Sequence, residues 1–140
     1  MPDDVLLNKS DIIERCLKRI REMYGNDVED FESDFMLQDA VILNLQRACQ
    51  AAIDAAMHIV RVRGLGLPQE SRDSFRILEE SGVIRHDVSE KMQAMTGFRN
   101  IAVHDYQNLN LDIVESIIKN NLDDFRELIK DLLKSSDKNI

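Results

Sequence analysis

The sequence predicts an all-α fold, an antiparallel bundle of four main helices and one short one. Three observations carry that reading. Apolar residues recur every three or four positions along most of the chain, and turn-formers are scarce, with two prolines and five glycines in 140 residues. Leu, Ile, Ala, Arg, Glu and Asp are abundant, whereas aromatic residues make up only 5%. The length suits one hydrophobic core rather than two, so residues 1–140 are expected to form one domain.

The first helix is expected from about Asp4 to Tyr24, with Ile13, Cys16, Leu17, Ile20 and Met23 on its apolar face and Gly25-Asn26 as its stop. The acidic stretch from Asp27 to Asp34, which contains Phe31, reads as a loop or short turn. A second and longest helix spans about Phe35 to Arg63. It carries Leu43, Leu45, Ile53, Met57 and Val60 together with Ala48, Ala51, Ala52, Ala55 and Ala56, so it is apolar on more than one side and should be central. Small alanines let a neighbouring helix approach closely, in the core or in a dimer seam. Asp54 and His58, four apart on this helix, form a candidate pair, although a local side-chain contact or a surface pair explains the spacing better.

Gly64-Leu65-Gly66-Leu67-Pro68 breaks the helix and lacks the spacing of a nucleotide-binding loop. Ser71 or Asp73 then caps a short third helix that buries Phe75 and Leu78 and ends at Glu80. Gly82-Val83-Ile84 and His86 form the next turn, and a fourth helix starts near Asp87 or Ser89 with Val88, Met92, Met95 and Phe98 at helical spacing. Gly97 permits a bend or a close approach there. A last helix is expected from Asn110 or Leu111 to Leu133, with Ile113, Ile117, Ile118, Leu122, Phe125, Leu128, Ile129 and Leu132 inward, followed by a frayed tail from Ser135 to Ile140.

The acidic start Met1-Pro2-Asp3-Asp4 does not look like a signal peptide, and no apolar run approaches the roughly 20 residues needed to span a bilayer. A cytoplasmic protein is expected. Cys16 and Cys49, isolated within helical patterns, read as buried thiols, and no metal-ligand spacing involves them. The net charge of −8 argues against a general nucleic-acid binder. The excess is uneven, however: from Arg61 to His104 seven Lys or Arg face six Asp or Glu, against eleven and twenty elsewhere. A neutral or positive cleft on an acidic body follows.

The fourth helix ends in Phe98-Arg99-Asn100-Ile101-Ala102-Val103-His104-Asp105-Tyr106, where four polar side chains interrupt an apolar pattern. A guanidinium presents donors suited to phosphate oxygens, and an imidazole moves protons near neutral pH. Together, with no acidic metal cluster beside them, Arg99 and His104 suit cleavage of RNA by its own 2′-hydroxyl, which needs only proton transfer and charge stabilisation. On a regular helix, however, Arg99 and His104 point about 140° apart, while Arg99 and Tyr106 lie within about 20°. One straight helix therefore cannot aim Arg99 and His104 at one phosphate. Either the helix ends or bends near His104, or a second chain completes the site across a two-fold axis.

The spacing R-x4-H-x-Y resembles the signature of HepT-like toxins, a branch of the HEPN superfamily of small helical ribonucleases. Asn8-Lys9, Ile13-Glu14-Arg15-Cys16-Leu17, Asn44-Leu45-Gln46-Arg47-Ala48 and Ala52-Ile53-Asp54 are similar to that family too, so the resemblance covers essentially the whole chain. It implies a homodimeric HEPN-like bundle and a metal-independent endoribonuclease that needs no cofactor. The enzyme would be the toxin of a type VII-like toxin–antitoxin pair, cleaving mRNA or tRNA. Arg99 and His104 would be catalytic and Asn100 supporting. It also implies a cognate minimal nucleotidyltransferase antitoxin that transfers AMP from ATP to Tyr106, blocking the site with bulk and negative charge. Asp105, a charged residue beside His104, stands out from a neutral spacer and would raise the histidine's pKa or repel RNA. The competing reading is a non-catalytic helical adaptor for a nucleotidyltransferase partner.

Overall fold

The computed structural model describes residues 3–25 and 31–137, and within them it contains helices and turns but no strand. Helix α1, Asp4–Tyr24, is capped by Asp3, whose carboxylate accepts the Leu6 N–H at 3.1 Å. Its inward face is Leu6, Ile13, Cys16, Leu17, Ile20 and Tyr24. The first half of the expected acidic loop, within residues 26–30, lies outside the described residues. Phe31 is fully buried edge-on against Tyr24, with ring centroids 5.4 Å apart. Gln38 fixes it there by donating from Nε2 to the carbonyls of Phe31 and Glu32, at 2.8 and 3.0 Å. Burying such a ring contributes about 2 kcal/mol.

Helix α2, Phe35–Arg63, matches the expected bounds and is central, touching α1 and helices that follow it. Asp34 caps its start, and Gly64 ends it at φ 61, a left-handed conformation that disfavours any residue with a Cβ. All five alanines from Ala48 to Ala56 are buried. Phe35, Leu43 and Met57 are exposed instead, so the helix is apolar beyond the arc its neighbours cover.

Helix α3, Ser71–Glu80, begins one residue after its cap, Glu70, rather than being capped by Ser71. Asp73 does contribute, accepting the backbone N–H groups of Gln69 and Glu70 at 3.0 and 3.2 Å. Helix α4, His86–His104, starts earlier than Asp87, which puts His86 inside the helix rather than in the turn. The helix is continuous through Gly97. A methyl group there would lie 3.1 Å from the Arg72 guanidinium, so the close approach is made by a flexible side chain.

The expected last helix is two helices, α5 Leu111–Asn120 and α6 Asp123–Asp137. The break has a local cause: Asn121 closes α5, and its side-chain amide donates to the buried Asp124 at 2.9 Å, starting a new register. Buried Val114, Ile117 and Ile118 form the α5 face, so Ile113, expected inward, is exposed. The expected fraying does not begin at Ser135, because α6 runs through Asp137 and Ser135 accepts a hydrogen bond from Arg63 at 2.6 Å, while the rest of the expected tail, 138–140, lies outside the described residues. Arg126 ties α6 to α1 by a two-pronged ion pair with Glu14, at 2.8 and 2.9 Å.

Candidate functional site

The motif occupies the last turns of α4 and the 3-10 turn that follows, Tyr106–Asn108. The helix ends at His104 because Asp105 leaves helical geometry, at φ −147 and ψ 49. Its carboxylate accepts two bonds from Asn108 Nδ2, both at 2.9 Å, and pins the 3-10 turn. Asp105 is thus engaged with Asn108 rather than with His104.

Arg99 and His104 are both still helical, so their separation around the axis holds. Arg99 lies on the face of Met92, Met95 and Ala102, all buried, and is itself half-buried against α2. Its positive field reaches Cys49 of α2, where it opposes the burial that pushes that thiol up to about 12. Nη1 donates to Asn100 Oδ1 at 3.1 Å, and the buried Nε has no hydrogen-bond partner. Among the described residues no carboxylate pairs with this guanidinium. Asn100 and His104, one turn apart on the outer face, are exposed. The structure therefore brings Arg99 and Asn100 together and leaves His104 apart from Arg99 within one chain. His104 makes no hydrogen bond or ion pair among the described residues.

Tyr106, beyond the helix end, does not continue the Arg99 face. Its hydroxyl crosses to α2 and donates to Asp39, a partner 67 residues earlier in the chain. Burial first, and then Asp39, push the phenol up to about 12. No local signal marked Asp39, since it sits in an ordinary helical stretch and matters only because the turn after α4 meets the first turns of α2.

The Asp54–His58 candidate dissolves. His58 Nε2 contacts both oxygens of the Asp3 cap, at 2.8 and 3.0 Å, while Asp54 accepts from Gln50 and pairs with Lys9. Cys16 and Cys49 are buried free thiols. Among the described residues no three His, Cys, Asp or Glu side chains are grouped so as to hold a metal ion.

A family model described as Ribonuclease HepT-like matches residues 13–132. The chain belongs to the HepT-like ribonuclease family. Its HepT-like relatives include the mRNA nuclease HepT of Shewanella oneidensis, 51% identical over 133 residues, covering 95% of this chain and 98% of that protein. A putative RNase of Archaeoglobus fulgidus is 28% identical over 106 residues, covering 76% and 79%. Among solved structures, the tri-AMPylated Shewanella oneidensis HEPN toxin in complex with MNT antitoxin superposes with a TM-score of 0.89 at 50% identity, covering 94% of this chain and 98% of that one. A toxin–antitoxin structure with AMP-PNP gives a TM-score of 0.89 at 49% identity, covering 93% and 98%. The all-helical HEPN fold expected from the sequence is the fold observed.

Proposed function

We propose that this HepT-like chain is the toxin of a toxin–antitoxin pair, an endoribonuclease acting on mRNA or tRNA without a metal ion. The observation that carries the reading is the state of the Arg99–His104 pair. Both are presented at the end of one helix, and among the described residues neither is engaged by a carboxylate, whereas Arg85 and Arg126 are each held by two acids. Arg99 stabilises the extra negative charge on phosphorus as the ribose 2′-oxygen attacks, and His104 moves the protons. Asn100 supports Arg99 through its side-chain bond.

Because Arg99 and His104 diverge on one helix, the reading includes a homodimer in which two α4 ends face one cleft. The apolar residues left uncovered beside the motif, Ile101 and Val103 on α4 with Phe35, Met36 and Leu43 on α2, supply material for such a contact. A partner His104 then reaches the phosphate held by Arg99. Among the described residues no helix is long and apolar enough to cross a membrane, which suits action on RNA in the cytoplasm. The cognate partner is a minimal nucleotidyltransferase antitoxin that neutralises the toxin by placing AMP on Tyr106, beside His104. The nucleotide fills the cleft and its phosphate repels RNA.

The test is incubation of end-labelled mRNA and tRNA in EDTA with unmodified wild type and with His104→Ala, after intact mass has excluded bound AMP. The expected outcome is cleavage by wild type alone. Intact RNA with unmodified wild type would favour the helical adaptor instead.

A further inference from the structure

The hydroxyl of Tyr106 is arranged as a nucleophile with its base already attached. Its proton is held by the Asp39 carboxylate, while the side chain remains 43% exposed, so an incoming group can reach the oxygen. Asp39 is exposed, and among the described residues it has no cationic partner to compete for its lone pairs. Nucleophile and base within hydrogen-bond reach is the arrangement that activates hydroxyl groups. A neutral phenol that attacks phosphorus must lose its proton during the step.

We propose that Asp39 is the general base that takes the proton of Tyr106 as this hydroxyl accepts a nucleotidyl group, so that the toxin supplies part of the chemistry of its own neutralisation. The proposal rests on the reading that Tyr106 is the AMP acceptor. In the step, Tyr106 Oη attacks the α-phosphorus of ATP held by the nucleotidyltransferase. The new bond is Oη–Pα, the bond from Pα to the bridging oxygen of the β-phosphate breaks, pyrophosphate leaves, and the phenolic proton passes to Asp39 and then to water. Pre-formed phenolate is no substitute at neutral pH, because the same environment keeps the phenol protonated to about 12. Removing a positioned base of this kind slows a reaction about 10²–10⁴-fold.

The test measures AMP transfer by intact mass, using purified chain, the cognate nucleotidyltransferase and Mg-ATP from pH 6 to 9. Wild type, Asp39→Asn, Asp39→Glu and Tyr106→Phe are compared, with melting curves to show that each is folded. Asparagine still accepts the phenolic hydrogen bond but cannot take the proton. Its rate is expected to fall at least about 10²-fold at pH 7 and to climb about tenfold per pH unit, whereas wild type is nearly flat and Asp39→Glu regains part of the rate. Asp39→Asn at the wild-type rate with a flat profile would overturn the base and leave a tether. If Tyr106→Phe takes AMP as readily as wild type, or wild type takes none, the acceptor reading itself fails.

Discussion

The two ends of α4 carry the same pair of residue types in opposite circumstances. At its start, Arg85 and His86 sit where the helix dipole disfavours cations, and both are surrounded by acids. Arg85 bonds Asp131 through its backbone N–H and Nε, at 3.1 and 3.2 Å, and reaches Glu127 with Nη2. His86 lies 2.8 Å from Glu79 and 3.2 Å from Glu90, and the bond to Glu79 raises its pKa. At its end, Arg99 holds one neutral amide and His104 holds nothing among the described residues. The first pair is engaged in joining α4 to its neighbours, while among the described residues no acid engages the second. Within α4 the same residue types therefore differ by their surroundings, acids at the start and none at the end among the described residues.

The largest expected effect breaks the comparison at the far end. His104→Ala should lower RNA cleavage by about 10²–10⁴-fold, with a melting temperature close to wild type, since the exposed side chain makes no hydrogen bond or ion pair among the described residues. Tyr106→Phe should keep cutting RNA in the presence of the nucleotidyltransferase and ATP, conditions that silence wild type, which separates neutralisation from cleavage. At the near end the signs reverse: Arg85→Ala should lower stability slightly in urea unfolding while cleavage per folded molecule is unchanged.

Much of this was legible in the sequence because periodicity and caps are local. Helix α2 has its expected ends because Asp34 and Gly64 act on their immediate neighbours. The break at Asn121 was hidden, since Leu122 and Phe125 continue the apolar spacing of Ile117 and Ile118 and only the bond from Asn121 to Asp124 shows the restart. Arg99 and His104 stood out as polar residues in an apolar run. Asp39 did not, because its role depends on a contact across 67 residues. The Asp54–His58 spacing misled for the converse reason, as the nearer partner of His58 was the cap of α1, 55 residues earlier.

Two smaller effects sharpen the comparison. Gly97→Ala, on a half-buried face between the two ends, should stabilise by roughly 0.5–1 kcal/mol, because the helix gains propensity and the exposed Arg72 side chain yields to the new methyl. Cleavage should persist. The smallest effect is in alkali. In a Tyr24→Phe background, spectrophotometric titration should place Tyr106 near 12, and Asp39→Asn should lower it only part of the way, because burial, the larger cause, remains. A raised phenol pKa stabilises the fold below about pH 10 and loses that contribution as pH rises through about 12. Solvent screening at this half-exposed side chain keeps the stability change slight.

The most direct measurement is RNA cleavage by a heterodimer of Arg99→Ala and His104→Ala chains, co-expressed with different tags and purified through both. Each variant alone should be inactive, and the heterodimer should recover cleavage far above either, because one intact guanidinium and one intact imidazole meet at a shared phosphate. A purified heterodimer no more active than its parents, or a wild-type chain that cleaves RNA as a monomer, would contradict a site completed by two copies of α4.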